Sequence, residues 1–142
     1  MNGLLERESQ NRSGVTGRIN RPPRILCADD EPSICLCVVQ VLSRAGYIVV
    51  VVSDGQKAWE TLERGDFDLL LTDHNMPGLT GCELVARARQ HGMKLPVIVM
   101  SAQPQSLLTP ATESLQIATF LQKPFSVGEL TDAVKGALHL PR

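Results

Sequence analysis

The sequence predicts an α/β domain, a doubly wound parallel sheet of five strands flanked by five helices. Three observations predict this class. Short apolar runs alternate with amphipathic segments of helical length, as in successive βαβ units. The run YIVVVVS at 47–53 is apolar without alternation, as expected for a parallel strand that is covered on both faces. The length of 142 residues, 43% of them hydrophobic, suits one domain with an ordinary core.

The first half of the domain is expected to supply three strands and two helices. The strands are expected at 24–28, 47–53 and 67–72. Pro32 suits the first turn of the helix that follows the first strand, and Gly46 suits the position just beyond its end. Asp54 can cap the second helix, which is expected to run through Arg64 and to close at Gly65.

The second half repeats this alternation, with one irregular segment. A helix is expected at 80–91, and strands are expected at 96–100 and 117–122. Ser126 and Glu129 form an S-x-x-E capping box ahead of a last helix, whose apolar residues recur at helical spacing. Pro104 and Pro110 interrupt the segment between the fourth and fifth strands, so the fourth helix is expected to be short, shifted or mobile.

Residues 1–23 differ from the rest and are expected to form a flexible basic arm ahead of a domain at 24–140. Through Arg24, this segment carries five arginines against Glu6 and Glu8, together with several Gly, Pro, Ser and Asn residues. Few of its side chains are large and apolar, which is typical of a segment without a core of its own.

The composition excludes several classes of function. The 14 basic and 15 acidic residues leave a formal net charge of −1, which argues against direct binding to nucleic acid. No apolar run approaches the roughly 18 residues of a membrane span, and the N-terminus lacks the apolar centre of a signal peptide. The four cysteines lack the spacing of a metal site and are expected to be reduced. We therefore expect a cytoplasmic domain with no membrane contact.

Chemically distinctive residues follow four of the five predicted strands. Asp29 and Asp30 follow the first strand, and Asp73 follows the third. Ser101 ends the fourth strand and Lys123 the fifth. Because ligands of doubly wound sheets bind beyond the carboxyl ends of the strands, we expect these five side chains to converge on one edge.

Three neighbouring carboxylates at this edge require a cation. Two carboxylates about 4 Å apart repel each other by roughly 4 kcal/mol at an effective dielectric constant near 20. Mg²⁺ fits such a cluster, since it binds one or two carboxylates together with waters and phosphate oxygens. Lys123 adds a point charge suited to a phosphate oxygen, and Asp73 beside both cations is suited to attack phosphorus. The residues themselves therefore predict phosphoryl chemistry on an aspartate.

Four segments in order resemble the receiver domain of two-component response regulators. They are ILCADDEP (25–32), LLLTDHNMPGLTG (69–81), VIVMSAQ (97–103) and FLQKPF (120–125), and their spacing is similar to that of the family. The resemblance covers about residues 24–140. It implies a flavodoxin-like sheet with the strand order 2-1-3-4-5.

The resemblance implies a role for each acidic residue. Asp73 would be the phosphoacceptor, which attacks a phosphohistidine of a sensor histidine kinase or a histidine phosphotransfer protein. Asp30, assisted by Asp29, would hold Mg²⁺, with Asp73 and the backbone carbonyl of Asn75 as further ligands. Beyond its own phosphorylation and dephosphorylation, such a domain would not be an enzyme.

The resemblance also implies how the phosphoryl group would be sensed. Lys123 would pair with the phosphoryl group, and its bond to Pro124 is expected to be cis. Ser101 would move to hydrogen-bond a phosphoryl oxygen, and Phe120 would turn inward as Ser101 moves. Such a change would be a local charge event that biases a two-state element.

Output is expected at the face formed by the fourth predicted helix, the fifth strand and the last helix. An exposed Leu107 or Leu108 would serve a protein partner there. Two other functions stay open at this point. One is a receiver-like interaction domain that needs no phosphate. The other is a phosphohydrolase that uses Asp73 as its nucleophile, against which Asn75 stands where such enzymes place a general acid.

Overall fold

Five parallel strands form one sheet in the order β2-β1-β3-β4-β5 in the computed structural model, which describes residues 21–108 and 113–140. The strands are β1 (Arg24–Ala28), β2 (Ile48–Val52), β3 (Leu69–Asp73), β4 (Val97–Ser101) and β5 (Thr119–Gln122). Every neighbouring pair is parallel. The predicted fold class and strand order are confirmed. The arm predicted at 1–23 lies, up to residue 20, outside the described residues.

Apolar layers cover both faces of the sheet, because successive side chains of each strand point to opposite sides. In β1, Leu26 belongs to one layer and Ile25 to the other. The first layer contains residues of α2 (Gly55–Arg64) and α3 (Gly81–Gln90), and the second contains residues of α1 (Pro32–Arg44) and α4 (Val127–Leu138). β1, β3 and β4 are thus central strands between two layers of helices.

The strand β2 lies at the edge of the sheet and pairs only with β1 among the described strands. Its apolar sequence predicts cover on both faces, but Ile48 and Val51 are 41% and 36% exposed. The reason is positional, since an edge strand has neighbours on one side only. The outer edge of β2 therefore carries an uncharged, β-branched surface.

The predicted helix ends are largely confirmed. The Asp54 side chain accepts a hydrogen bond from the Lys57 N–H at 2.7 Å, as expected for the cap of α2. Ser126 and Glu129 form both hydrogen bonds of the predicted capping box of α4. Gly46 follows α1 with φ +98°, a conformation that favours glycine. Such caps typically contribute about 0.5–2 kcal/mol each.

The prediction of five helices is wrong for the part of the chain that the structure describes, which contains four α-helices. Two single-turn 3-10 helices, Gln105–Leu107 and Glu113–Leu115, stand between β4 and β5 instead. Pro104 precedes the first of them in an extended conformation and lacks the N–H that a longer helix would use. Leu108 is buried against the layer that contains α2 and α3, whereas Leu107 is 66% exposed.

The guanidinium of Arg89, near the end of α3, holds this irregular segment in place. It donates hydrogen bonds to the carbonyl oxygens of Leu115 at 2.9 Å and Gln116 at 3.2 Å. It also donates to the carbonyl oxygens of Met93 and Leu95, both at 2.9 Å. One side chain thus joins the loop before β4 to the segment before β5.

Two further observations bear on the predictions from composition. All four cysteines are free, and Cys27 is buried in β1. None of the helices within 21–108 and 113–140 is both long and apolar enough to cross a bilayer.

Candidate functional site

Residues at the carboxyl ends of four strands meet at one edge of the sheet. Asp29 follows β1 and extends its ladder, since its N–H donates to the Val52 carbonyl at 3.1 Å. Asp73 and Ser101 are the last residues of β3 and β4. Lys123 follows β5, and its N–H donates to the Ser101 carbonyl at 2.8 Å. The sheet itself therefore brings together side chains that are far apart in the sequence.

Three carboxylates form the acidic part of the site. Asp29, Asp30 and Asp73 each offer an oxygen, and these oxygens lie within 4.8 Å of one another. Asp29 and Asp73 are buried, whereas Asp30 is exposed and opens the cluster to solvent. Three oxygen donors that leave room for water are a donor set that fits Mg²⁺. These residues could therefore hold a divalent cation.

The ammonium of Lys123 faces the same carboxylates. Its Nζ lies 2.9 Å from Asp29 Oδ2, 2.9 Å from Glu31 Oε1 and 3.4 Å from Asp73 Oδ1. The Lys123–Pro124 peptide bond is cis, as expected. The ammonium thus faces the buried carboxylates of Asp29 and Asp73 and the exposed carboxylate of Glu31.

The surroundings of Asp73 disfavour its charge. Burial raises the pKa of the Asp73 carboxyl, and the neighbouring Asp29 raises this pKa further. Lys123 and the backbone N–H of Asn75 oppose the rise in this pKa without cancelling it. A carboxylate in this condition gains from an added cation.

Lys123 keeps its charge in this environment. Burial alone lowers the pKa of its ammonium, but the hydrogen bonds to Asp29 and Glu31 outweigh burial, and the pKa of Lys123 lies above its usual value. The ammonium is therefore available to an anion at neutral pH.

Ser101 and Phe120 line one cavity at the ends of β4 and β5. The Ser101 side chain is buried, and its Oγ accepts a hydrogen bond from the Gln103 N–H at 2.9 Å. Phe120 is half-buried and packs against the layer that contains α2 and α3. The cavity between them also borders Gln105 in the irregular segment after β4. Its location connects the site with that segment.

Asn75 is exposed in the loop after β3. Two glycines fix the path of this loop, and sequence reasoning gave neither of them a role. A Cβ on Gly81 would collide with the backbone carbonyl of Asp73, and a Cβ on Gly55 would collide with that of Leu79. The close approach of backbone at both positions is the reason that only glycine fits there.

Glu31 is the other residue that sequence reasoning left without a role. Its carboxylate contacts Lys123, and its backbone N–H donates to Asp29 Oδ1 at 2.9 Å. The sequence carries no signal of this contact, because the contact depends on the direction of a side chain at the start of α1.

The strand order and the position of the site define the class of protein, a flavodoxin-like α/β domain with an acidic site at the carboxyl edge of the sheet. Residues 25–135 match the family model described as the response regulator receiver domain. The chain belongs to this family, and the resemblance of its four segments to the receiver domain is confirmed.

Two similar regulators support this assignment. The response regulator receiver protein CpdR of Brucella abortus is 33% identical over 115 residues, which are 81% of this chain and 96% of CpdR. The DNA-binding transcriptional regulator NtrC of Rhizobium meliloti is 36% identical over 118 residues, which are 83% of this chain and 24% of NtrC. The chain thus spans about a quarter of the length of the NtrC relatives that it matches.

A solved structure shares the fold. The chemotaxis response regulator CheY4 of Vibrio cholerae superimposes with a TM-score of 0.76 at 27% identity. The alignment covers 80% of this chain and 97% of CheY4.

Proposed function

We propose that the chain is a phosphorylation-switched signalling module, in which Asp73 accepts a phosphoryl group in a reaction that requires Mg²⁺. The observation that carries the proposal is the position of Asp73. Its carboxylate is buried 3.4 Å from the Lys123 ammonium and belongs to a group of three carboxylates within 4.8 Å of one another. A nucleophile between a cationic side chain and a cation site suits phosphoryl transfer.

The phosphodonor in this proposal is a phosphohistidine of a sensor histidine kinase or a histidine phosphotransfer protein. A carboxylate oxygen of Asp73 forms the new bond to phosphorus while the bond between phosphorus and the imidazole nitrogen breaks. The imidazole leaves with the electron pair of that bond and takes a proton from solvent. The Lys123 ammonium binds a phosphoryl oxygen and balances its charge.

The metal site of the proposal consists of Asp29, Asp30 and Asp73, with the backbone carbonyl of Asn75 as a further ligand. When bound, Mg²⁺ would neutralise charge on the carboxylates and on the phosphoryl group. The raised pKa of Asp73 supports this part of the proposal, because a cation would favour the ionised form that attacks phosphorus.

The switch in this proposal runs from Ser101 to Phe120. The Ser101 hydroxyl would exchange its bond to Gln103 for one to a phosphoryl oxygen, and Phe120 would move into the cavity that the two residues line. Output would follow at the surface formed by the irregular segment, β5 and α4. Leu107, which is exposed within the irregular segment, would be one of the apolar side chains that a protein partner covers there.

The proposal also includes a cytoplasmic location, where the chain would meet a kinase as its phosphodonor. No direct contact with nucleic acid or with a membrane is part of it.

Intact-mass analysis after incubation with Mg²⁺ and acetyl phosphate tests the proposal. We expect one phosphoryl adduct, which disappears when the metal is chelated and in the Asp73→Asn variant. An adduct that persists in Asp73→Asn would place the chemistry on another residue and would contradict the proposal.

One observation favours a second function, a receiver-like interaction domain that needs no phosphate. It is the replacement of a helix by two single turns between β4 and β5, at the surface proposed for output. A folded protein that forms no adduct with acetyl phosphate and none with a phosphorylated histidine phosphotransfer protein would support this alternative.

A further inference from the structure

A salt bridge at the mouth of the site includes a residue without a metal or phosphoryl role. Glu31 Oε1 lies 2.9 Å from Lys123 Nζ, the same distance as Asp29 Oδ2. Glu31 does not belong to the group of carboxylates that could share a metal ion. Its side chain is 56% exposed, whereas that of Asp29 is fully buried. The salt bridge with Lys123 therefore links the Glu31 carboxylate to the site.

Helix capping does not explain Glu31. The residue occupies the N-cap position of α1, but its side chain makes no capping hydrogen bond. Ser, Thr, Asp or Asn would cap this helix better. The Glu31 N–H donates to Asp29 Oδ1 at 2.9 Å and thereby fixes the backbone beside the cluster. The carboxylate thus contacts Lys123 and makes no capping hydrogen bond to the helix.

Glu31 and Asp73 compete for the ammonium of Lys123. Lys123 Nζ is 3.4 Å from Asp73 Oδ1, beyond the roughly 2.7–2.9 Å of a direct bond between an ammonium and a carboxylate. A phosphoryl group on Asp73 would add charge and acceptor oxygens on this side of Lys123. Asp29 and Glu31 hold two of the three N–H donors of the ammonium, so Asp73 and a phosphoryl group must share the third unless Glu31 releases its donor.

We propose that Glu31 is a positioning residue, which holds the Lys123 ammonium at the mouth of the site and thereby limits the affinity of the site for a phosphoryl group. This inference rests on the proposed function, since it concerns the same phosphoryl site. The salt bridge is partly exposed, so its effect is bounded by the strength of exposed ion pairs. The bound corresponds to about a two- to fivefold change in affinity.

The test is the affinity of the full chain for beryllofluoride, a mimic of the phosphoryl group, at saturating Mg²⁺ by titration calorimetry. Glu31→Gln removes the charge at nearly constant size and is expected to raise this affinity about two- to fivefold. Glu63→Gln makes the same change on the exposed side of α2, near the end that is remote from the site, and is expected to leave the affinity unchanged. An unchanged or lower affinity in Glu31→Gln would overturn the inference.

Two further measurements separate positioning from a general effect of charge. Glu31→Asp keeps the charge but shortens the side chain, so that it too is expected to raise the affinity for beryllofluoride. An affinity equal to that of the wild type would attribute the effect to charge alone and would overturn the positioning role. The affinity for Mg²⁺ without beryllofluoride is expected to stay within about twofold in Glu31→Gln, because Glu31 is not among the proposed ligands. A larger change would show that Glu31 acts on the metal.

The failures of the two proposals are distinguishable. If the wild type does not bind beryllofluoride with Mg²⁺, the proposed function fails and this inference fails with it. If the wild type binds and Glu31→Gln binds equally well, this inference alone fails.

Discussion

Asp73 is kept in surroundings that disfavour its charge, and this has a measurable cost at the scale of one residue. Burial and the charge of Asp29 raise the pKa of the carboxyl above that of an unfolded chain. Ionisation of Asp73 is therefore less favourable in the folded state than in the unfolded state. At neutral pH, where the carboxyl is ionised in the unfolded chain, this difference lowers the free energy of unfolding. Functional sites commonly trade stability for activity in this way.

We expect Asp73→Asn to stabilise the protein at neutral pH in the presence of a chelator. The neutral amide removes the buried charge and its repulsion by Asp29, and the gain is expected to be about 0.5–2 kcal/mol. Chemical denaturation with excess EDTA measures it. Asp132→Asn, the same substitution on the exposed side of α4, is the control and is expected to change little. A less stable Asp73→Asn protein would contradict the expectation.

Mg²⁺ provides the complement to that experiment. A ligand that binds only the folded state adds about 2.7 kcal/mol at a concentration one hundred times its dissociation constant. Mg²⁺ is therefore expected to stabilise the wild type more than the Asp73→Asn variant. Equal stabilisation of both proteins would show that Asp73 is not a ligand.

At the scale of one element, the start of α3 fits against the end of β3 with no space for a side chain. We expect Gly81→Ala to cost about 1–3 kcal/mol, because its Cβ would collide with the Asp73 carbonyl and with backbone that cannot move aside cheaply. Gly136→Ala is the matched control in α4, where a Cβ meets nothing within 4 Å. There we expect a gain of about 0.4–1 kcal/mol. Urea denaturation of both variants measures their free energies of unfolding. Equal changes in Gly81→Ala and Gly136→Ala would contradict the expectation.

The irregular segment before β5 depends on Arg89. We expect Arg89→Ala to cost about 1–3 kcal/mol and to accelerate amide hydrogen exchange at 113–118, because four carbonyl oxygens, three of them in part-buried contacts, lose their donor. Arg89→Lys is expected to restore little, since one ammonium cannot reach four carbonyl oxygens at once. Arg64→Ala, at the exposed end of α2, serves as the control. Unchanged exchange at 113–118 in Arg89→Ala would contradict this role.

The element scale also shows what the sequence can predict. The sequence predicts where α2 and α4 begin from Asp54, Ser126 and Glu129, because N-capping is a local interaction between residues three positions apart. Pro104 indicates that a long helix cannot form between β4 and β5, but not which structure replaces it. That structure depends on Arg89, whose hydrogen bond to Leu115 spans 26 positions of the chain.

At the scale of the whole molecule, the site is a product of topology. Asp29 and Lys123 are separated by 94 positions and lie 2.9 Å apart, because both follow parallel strands of one sheet. The sequence predicts this convergence once the strands are recognised, since the carboxyl ends of parallel strands share an edge. It does not predict Glu31, whose contact with Lys123 depends on the direction of a side chain at the start of α1.

Binding of Mg²⁺ and beryllofluoride is expected to affect the half of the molecule that contains β4 and β5 more than the half that contains β2 and α2. β4 and β5 carry Ser101 and Phe120, which line the cavity that borders Gln105 in the irregular segment. We expect amide hydrogen exchange to change at 101–108 and 119–123 and to stay constant in β2 and α2. Changes of equal size in both halves would contradict a route from Ser101 to Phe120.

The separation of Asp29 from Lys123 also has a consequence during translation. A ribosome that adds about 5–20 residues per second needs roughly 5–20 s to pass from one residue to the other. Throughout that interval the nascent chain carries the acids without the ammonium, and β5 is absent from the sheet. Under the proposed function, a nascent chain at this stage lacks the residue that would bind the phosphoryl group. The complete site therefore forms only after β5 and Lys123 have been synthesised.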